Sequence, residues 1–148
     1  MTPQRLLKLT LAHHRNSDAS EEGCHRFITE EYIPKASILT WKKYFTPTPV
    51  RNVLSTTCER LQNHWTVDTH DATVEFYFRD IADLVNVSTD PDFIVLQAIE
   101  APYISKEGVV AQLGWVETYT AGQQVVNLVD GKSQYQSYEE ASSIEHTL

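Results

Sequence analysis

The segment from Ser20 to Pro34 constrains this chain more than any other, because it marks where one helix starts, which side it buries and where it stops. Ser20 is a good N-cap, and Glu21 and Glu22 place negative charge in the first turn, where the helix dipole favours it. Cys24, Phe27, Ile28 and Tyr32 recur at helical spacing and form one apolar stripe. Pro34 disfavours helical geometry at Ile33, so the spacing predicts an end near there. Upstream, Arg5 to His14 alternates Leu7, Leu9 and Leu11 against Lys8, Thr10, Ala12 and His14, the period of a strand with two unlike faces. A two-faced strand followed by a one-sided helix is the first half of an α+β layer.

Further along, residues 37–49 are rich in aromatics, Lys, Thr and Pro, and read as a long connection with a short helical turn over Leu39 to Tyr44; Pro47 and Pro49 argue against a regular ladder there. Val50 to Leu61 is predicted as the second strand. Asp71 to Arg79 is the clearest strand, with Ala72, Val74, Phe76 and Phe78 on one face and Asp71, Thr73, Glu75 and Tyr77 on the other. Asp80 to Val87 reads as a short helix. A second begins at Asp90-Pro91, where proline suits the first turn, and ends near Pro102. Val109 to Tyr119 is the last strand. The order βαββαβ is that of a ferredoxin-like α+β fold. Helices cover one sheet face only, so a homodimer packed through the other face is expected. Residues 1–126 form the domain. Residues 127–148 form a C-terminal arm; Val125, Val126 and Val129 could make an extra strand or arm on a partner, with 132–148 mobile.

Charge narrows the function classes. Twelve basic against twenty acidic residues leave a net −8, with no basic run, so neither nucleic acid nor an anionic membrane surface is an expected partner. No apolar run approaches the roughly 20 residues needed to span a bilayer. Two unpaired cysteines, Cys24 in a helix and Cys58 in a strand, fit reduced thiols and a cytoplasmic protein.

In order and spacing, Ser20-Glu21-Glu22, the aromatic Phe27 and Thr29-x-x-Tyr32-x-Pro34 resemble the opening of the EthD-type dimeric α+β-barrel family. The likeness extends over Phe76 to Asp80, Thr89 to Phe93 and Leu113 to Glu117. It implies cofactor-independent chemistry on polyketide-like small molecules (dehydration, decarboxylation or ring closure) in secondary metabolism, in a cavity between sheet and helices. The family motif is Thr-x-x-His-x-Pro, with an Asp-His pair after the Asp-Pro helix. Here those places hold Tyr32 and Glu100-Ala101, while Asp71 matches a recurrent aspartate. Histidine is the side chain best suited to move protons near neutral pH, whereas tyrosine chiefly donates a hydrogen bond to a carbonyl.

The acid–base groups are therefore expected elsewhere. His14 with Asp71 is the candidate pair, beside Tyr32 as carbonyl donor; Lys8, Thr10, Phe27, Ile28, Glu75, Tyr77 and Trp115 are candidate substrate contacts. The plainer alternatives are that His13 and His14 end an exposed strand, that Asp71 caps a turn, and that Tyr32 is a core aromatic. Alternatively no base is needed, and an aromatic cavity folds a flexible substrate for ring closure by proximity and carbonyl activation, which fits the loss of histidine best. His64, Asp68, His70 and Asp71 match no zinc spacing, nothing specific supports a haem ligand, the glycines are scattered singly, and neither cysteine has a base signature, so no metal or cofactor is expected. The leading reading is a cofactor-free lyase or cyclase, with cyclisation favoured. A non-catalytic binding protein for the same kind of intermediate, or a cofactor-independent oxygenase, are the alternatives.

Overall fold

A computed structural model describes residues 2–35 and 40–143. Four strands form one antiparallel sheet in the order β2-β3-β1-β4, where β1 is Leu6–His13, β2 Thr40–Phe45, β3 Ala72–Phe78 and β4 Val110–Val116. In register, Leu7, Leu9, Leu11 and His13 stand opposite Phe78, Phe76, Val74 and Ala72, and the same leucines stand opposite Trp115, Leu113 and Ala111. Directly opposed residues share a face, so this is the sheet's apolar face. Helices α1 (Glu21–Phe27), α4 (Ile81–Ser88) and α5 (Pro91–Glu100) supply the apolar side chains that pack on it. Cys24, Phe27, Ile28, Tyr32, Ala72, Leu96 and Ile104 make one buried cluster, and Leu7, Val74, Phe76 and Phe78 a second. The far face carries Lys8, Thr10 and Ala12 on β1, Glu75 and Tyr77 on β3, and Lys42 and Tyr44 on β2.

The first helix starts as its sequence dictates: the Ser20 hydroxyl accepts from the Gly23 N–H at 2.9 Å. Its end differs from expectation. The chain continues past Phe27 through a π-helical turn, Ile28–Tyr32, into α2, Ile33–Lys35. A wider turn lets the helix carry Pro34, whose ring would otherwise meet the carbonyl four residues back.

The second strand is displaced from its expected place. Val50 to Leu61 is not a strand but lies mostly in α3, Thr48–Arg60, which places Cys58 in a helix. Pro49 sits in the first turn of α3, where a missing N–H costs nothing. Val50 and Val53, although β-prone, recur with Leu54 at helical spacing. The N-terminus of α3 is satisfied from outside, because the Glu21 carboxylate accepts from the Thr48 N–H at 3.1 Å and from its hydroxyl. The true β2 lies in the segment read as a connection, where Lys42 to Phe45 alternates across the sheet; Leu39 of the expected helical turn lies outside the described residues.

Residues beyond β4 return along their own protomer. Two-residue strands pair as β5 (Thr120–Ala121) with β6 (Gln124–Val125), and β7 (Leu128–Val129) with β8 (Lys132–Ser133). Arg5, buried on β1's approach, pairs with Glu117, donates to the Gln136 carbonyl at 2.8 Å and lies 5.7 Å from the centre of the Tyr135 ring. The Trp115 indole N–H donates to the Ala141 carbonyl at 3.1 Å, beside α6 (Tyr138–Ser142). The stretch expected as mobile is thus hydrogen-bonded to the body as far as it is described; residues 144–148 lie outside the described residues. Among the described residues no helix is long and apolar enough to cross a membrane.

Candidate functional site

Between the apolar sheet face and the helices is a recess with a cavity volume of about 50 Å3. Its walls are Leu11, Ile28, Ala72, Val74, Phe76, Phe93 and Ile104; its polar groups are His13, Tyr32, Gln97 and Glu100. They arrive from three different elements. His13 ends β1 on the leucine face, the π-turn delivers Tyr32, and α5 contributes Gln97 and Glu100 one turn apart. Such a volume holds a few water molecules or the reacting end of a ligand.

Burial sets the protonation of this group. Glu100 is pushed up from an ordinary 4.5 to about 7, because its charged form loses hydration and only Lys106 pulls the other way. The Tyr32 hydroxyl is raised well above its usual range by burial, with Glu100 nearby adding to it, so it stays a hydrogen-bond donor. Burial depresses His13; a contact to the Leu11 carbonyl opposes the shift, and His70 reinforces it. A neutral imidazole, a protonatable carboxyl and a phenol therefore share one apolar recess near neutral pH. That combination can remove a proton from carbon, return one to oxygen, and hold a developing enolate.

Of the residues singled out in the sequence, Tyr32 and Ile28 line this recess. Phe27 lies behind it, stacked on Tyr103 at 4.3 Å. Trp115 is on the same sheet face but packs over the Leu7 cluster, away from the recess lining. Lys8, Thr10, Glu75 and Tyr77 are on the opposite face. There the buried Glu75 carboxylate accepts from Lys8 Nζ at 3.1 Å, Tyr77 at 2.7 Å and Tyr44 at 3.3 Å. Burial opposes ionisation of Glu75, but these donors outweigh it and hold its carboxyl below the ordinary range; Tyr77 is pushed up to about 12 by burial and by that carboxylate.

His14 and Asp71 also lie outside the recess lining. Asp71 accepts from the Arg15 N–H at 2.9 Å and has Arg15 Nε at 3.6 Å, Arg51 at 3.7 Å and His14 Nδ1 at 4.0 Å, which makes it the tie between β1, β3 and α3. His14 stacks on His70 at 4.1 Å. The His70 ring donates to Asp68 at 2.6 Å and to the Gly108 carbonyl at 2.7 Å, which two N–H groups of an imidazolium satisfy. Burial opposes that charge, yet Gly108 and Asp68 outweigh it and raise the His70 pKa. Among the described residues no three His, Cys, Asp or Glu side chains are placed to hold a metal.

Sequence reasoning missed His13 and Glu100 as site residues. The signal for His13 was present: a cavity between sheet and helices must be lined from the leucine face, and period-two counting from Leu7 reaches His13, not His14. Glu100 stood where the family has its Asp-His pair, but its burial is a tertiary property.

The EthD domain model matches residues 16–107. A protein of Aspergillus terreus carrying the name "Putative oxygenase" is 40% identical over 139 residues, spanning 89% of this chain and 87% of that one. The dehydratase iacD of Pestalotiopsis fici is 25% identical over 100 residues, 63% of this chain and 72% of its own length. Among solved structures, the hydroxynitrile lyase of Passiflora edulis superposes with a TM-score of 0.53 at 15% identity, covering 80% of this chain and all of that one. A dimeric ferredoxin-like protein of unknown function from Thermobifida fusca gives 0.50 at 13% identity, over 78% and 95% of the two chains. At those identities the structural likeness is one of fold: ferredoxin-like α+β.

Proposed function

The chain belongs to the EthD domain family, and on that premise we propose that it is a cofactor-independent lyase or cyclase acting on a polyketide-like intermediate through the recess of His13, Tyr32 and Glu100. The observation that carries this reading is the convergence of those three groups on one apolar cavity. In a dehydration, neutral His13 takes the proton from the carbon beside a ketone while Tyr32 donates to the carbonyl oxygen as enolate charge develops. Glu100, protonated near neutral pH, then gives its proton to the departing hydroxyl; water leaves and a carbon–carbon double bond remains. Proton transfer from His13 back to Glu100 restores both groups. Ring closure uses the same first half, with the enol carbon attacking a second carbonyl of the chain.

This replaces the His14–Asp71 pair as acid–base machinery and removes the argument for cyclisation over dehydration, since an imidazole is available after all. The polar sheet face, with Glu75 knotted at its centre and Tyr44 and Val110 exposed, supports a homodimer packed through that face. The identity to an oxygenase-named relative favours one other reading, oxygen-dependent chemistry in the same recess. Turnover of β-hydroxy ketone and open-chain polyketone candidates, measured with and without oxygen, separates them. Turnover in anaerobic buffer that His13→Ala removes supports the lyase. Strict oxygen dependence selects the other reading, and stoichiometric binding without turnover points to a carrier.

A further inference from the structure

We infer that the recess selects uncharged carbonyl ligands and turns away carboxylates, which removes decarboxylation of a free acid from the reactions it serves. This rests on the reading of the recess as the substrate site. Among the described residues, none of the eleven that line it is lysine or arginine. Its walls are aliphatic and aromatic, and its polar groups suit a neutral oxygen: Tyr32 to donate, Gln97 to donate or accept, His13 to accept. A carboxylate brought into such a place needs a cation or several donors to replace its hydration. It would instead meet Glu100, so that two carboxyl groups share one low-dielectric site and only one ionises.

The charged and titratable neighbours do not offset this cost. From β1, His13 faces the recess and is held towards its neutral form. From the π-turn comes Tyr32, which remains protonated. The loop after α5 brings Lys106 within electrostatic reach of Glu100, but Lys106 does not line the cavity. His70, which is held towards its charged form, has both ring nitrogens engaged by Asp68 and Gly108. A net charge of −8 adds a long-range term of the same sign. A ketone or hydroxy ketone meets none of these costs.

The test uses two probes of matched shape, acetophenone and benzoate, titrated into the full chain near pH 8 and pH 6. Binding is located by NMR shifts of the Ala72 and Val74 methyls. At the higher pH, acetophenone should bind at least about tenfold more tightly than benzoate. The gap should narrow at the lower pH, as Glu100 takes up its proton, and also in Glu100→Gln near pH 8. Gln97→Glu, which adds a second carboxyl at the mouth, should widen it. Benzoate shifting the same methyls with equal or greater affinity near pH 8 overturns the inference and leaves the site standing. Failure of both probes to shift Ala72 or Val74 overturns both the inference and the site on which it rests.

Discussion

Replacing Glu100 by glutamine should stabilise this protein at alkaline pH and leave it unchanged in mild acid. Native Glu100 holds its proton to about pH 7, whereas an unfolded glutamate releases it near 4.5. The native state is therefore favoured by that bound proton below the lower value, and the advantage is lost as pH rises through the higher one. Above it, wild type must either ionise a half-buried carboxyl or hold an unfavourable proton. The full shift corresponds to about 3 kcal/mol. Glu100 stands at the mouth of the recess and is partly hydrated, so about 1.5–2 kcal/mol is the expected gain. Glutamine keeps the shape and removes the ionisation. Urea unfolding of wild type and Glu100→Gln at several values from about pH 4 to about pH 9 reads the effect directly. The two midpoints should coincide at the acid end and separate progressively through neutrality. Two parallel stability curves for Glu100→Gln would refute the claim that burial holds this carboxyl neutral, and with it the role of Glu100 as proton donor.

Tyr32→Phe keeps the buried ring and removes one donor, so turnover should fall by about 10- to 1000-fold with the melting temperature nearly unchanged; wild-type turnover would sink the proposed role of the hydroxyl. His13→Ala should abolish turnover while His14→Ala leaves it largely intact, and the reverse ranking in a steady-state assay would return the chemistry to the far face of the sheet. Replacing His70 by alanine removes a group whose folded pKa is raised, so the stability lost should be greatest in mild acid and shrink as pH rises above neutrality, as followed by thermal melts at both extremes. Arg5→Ala breaks the ties to Glu117, Gln136 and Tyr135; limited proteolysis should then cut within residues 134–143 several-fold faster, and unchanged cleavage would show that the remaining ties, among them Trp115 to Ala141 and the Thr118 N–H to the Tyr135 hydroxyl, suffice to secure this segment.

Local rules carried the sequence reading as far as residues interact with near neighbours. Ser20 capping Gly23, Asp90 preceding Pro91, and the leucine alternation of β1 each depend on a few adjacent positions, and each is found in the structure as expected. The reading failed where two local signals competed. In 48–60, β-branched side chains suggested a strand, yet helical spacing and a first-turn proline prevailed. In Lys42 to Phe45, neighbouring prolines masked a true strand that the ladder with β3 stabilises.

The sequence by itself determined the starts of α1, α4 and α5, the three longest strands, the one-sided apolar sheet and the family, because periodicity and capping are properties of the chain alone. Only the tertiary structure decided which histidine lines the recess. His13 and His14 are adjacent and chemically identical, and a strand sends them to opposite faces: one into a largely apolar recess, the other onto a ring stack above Asp71. The same holds for Glu100, an unremarkable carboxylate until α5 and the π-turn enclose it beside Tyr32. Protonation depends on the surrounding dielectric and on charges brought from distant parts of the chain, and no local pattern encodes either.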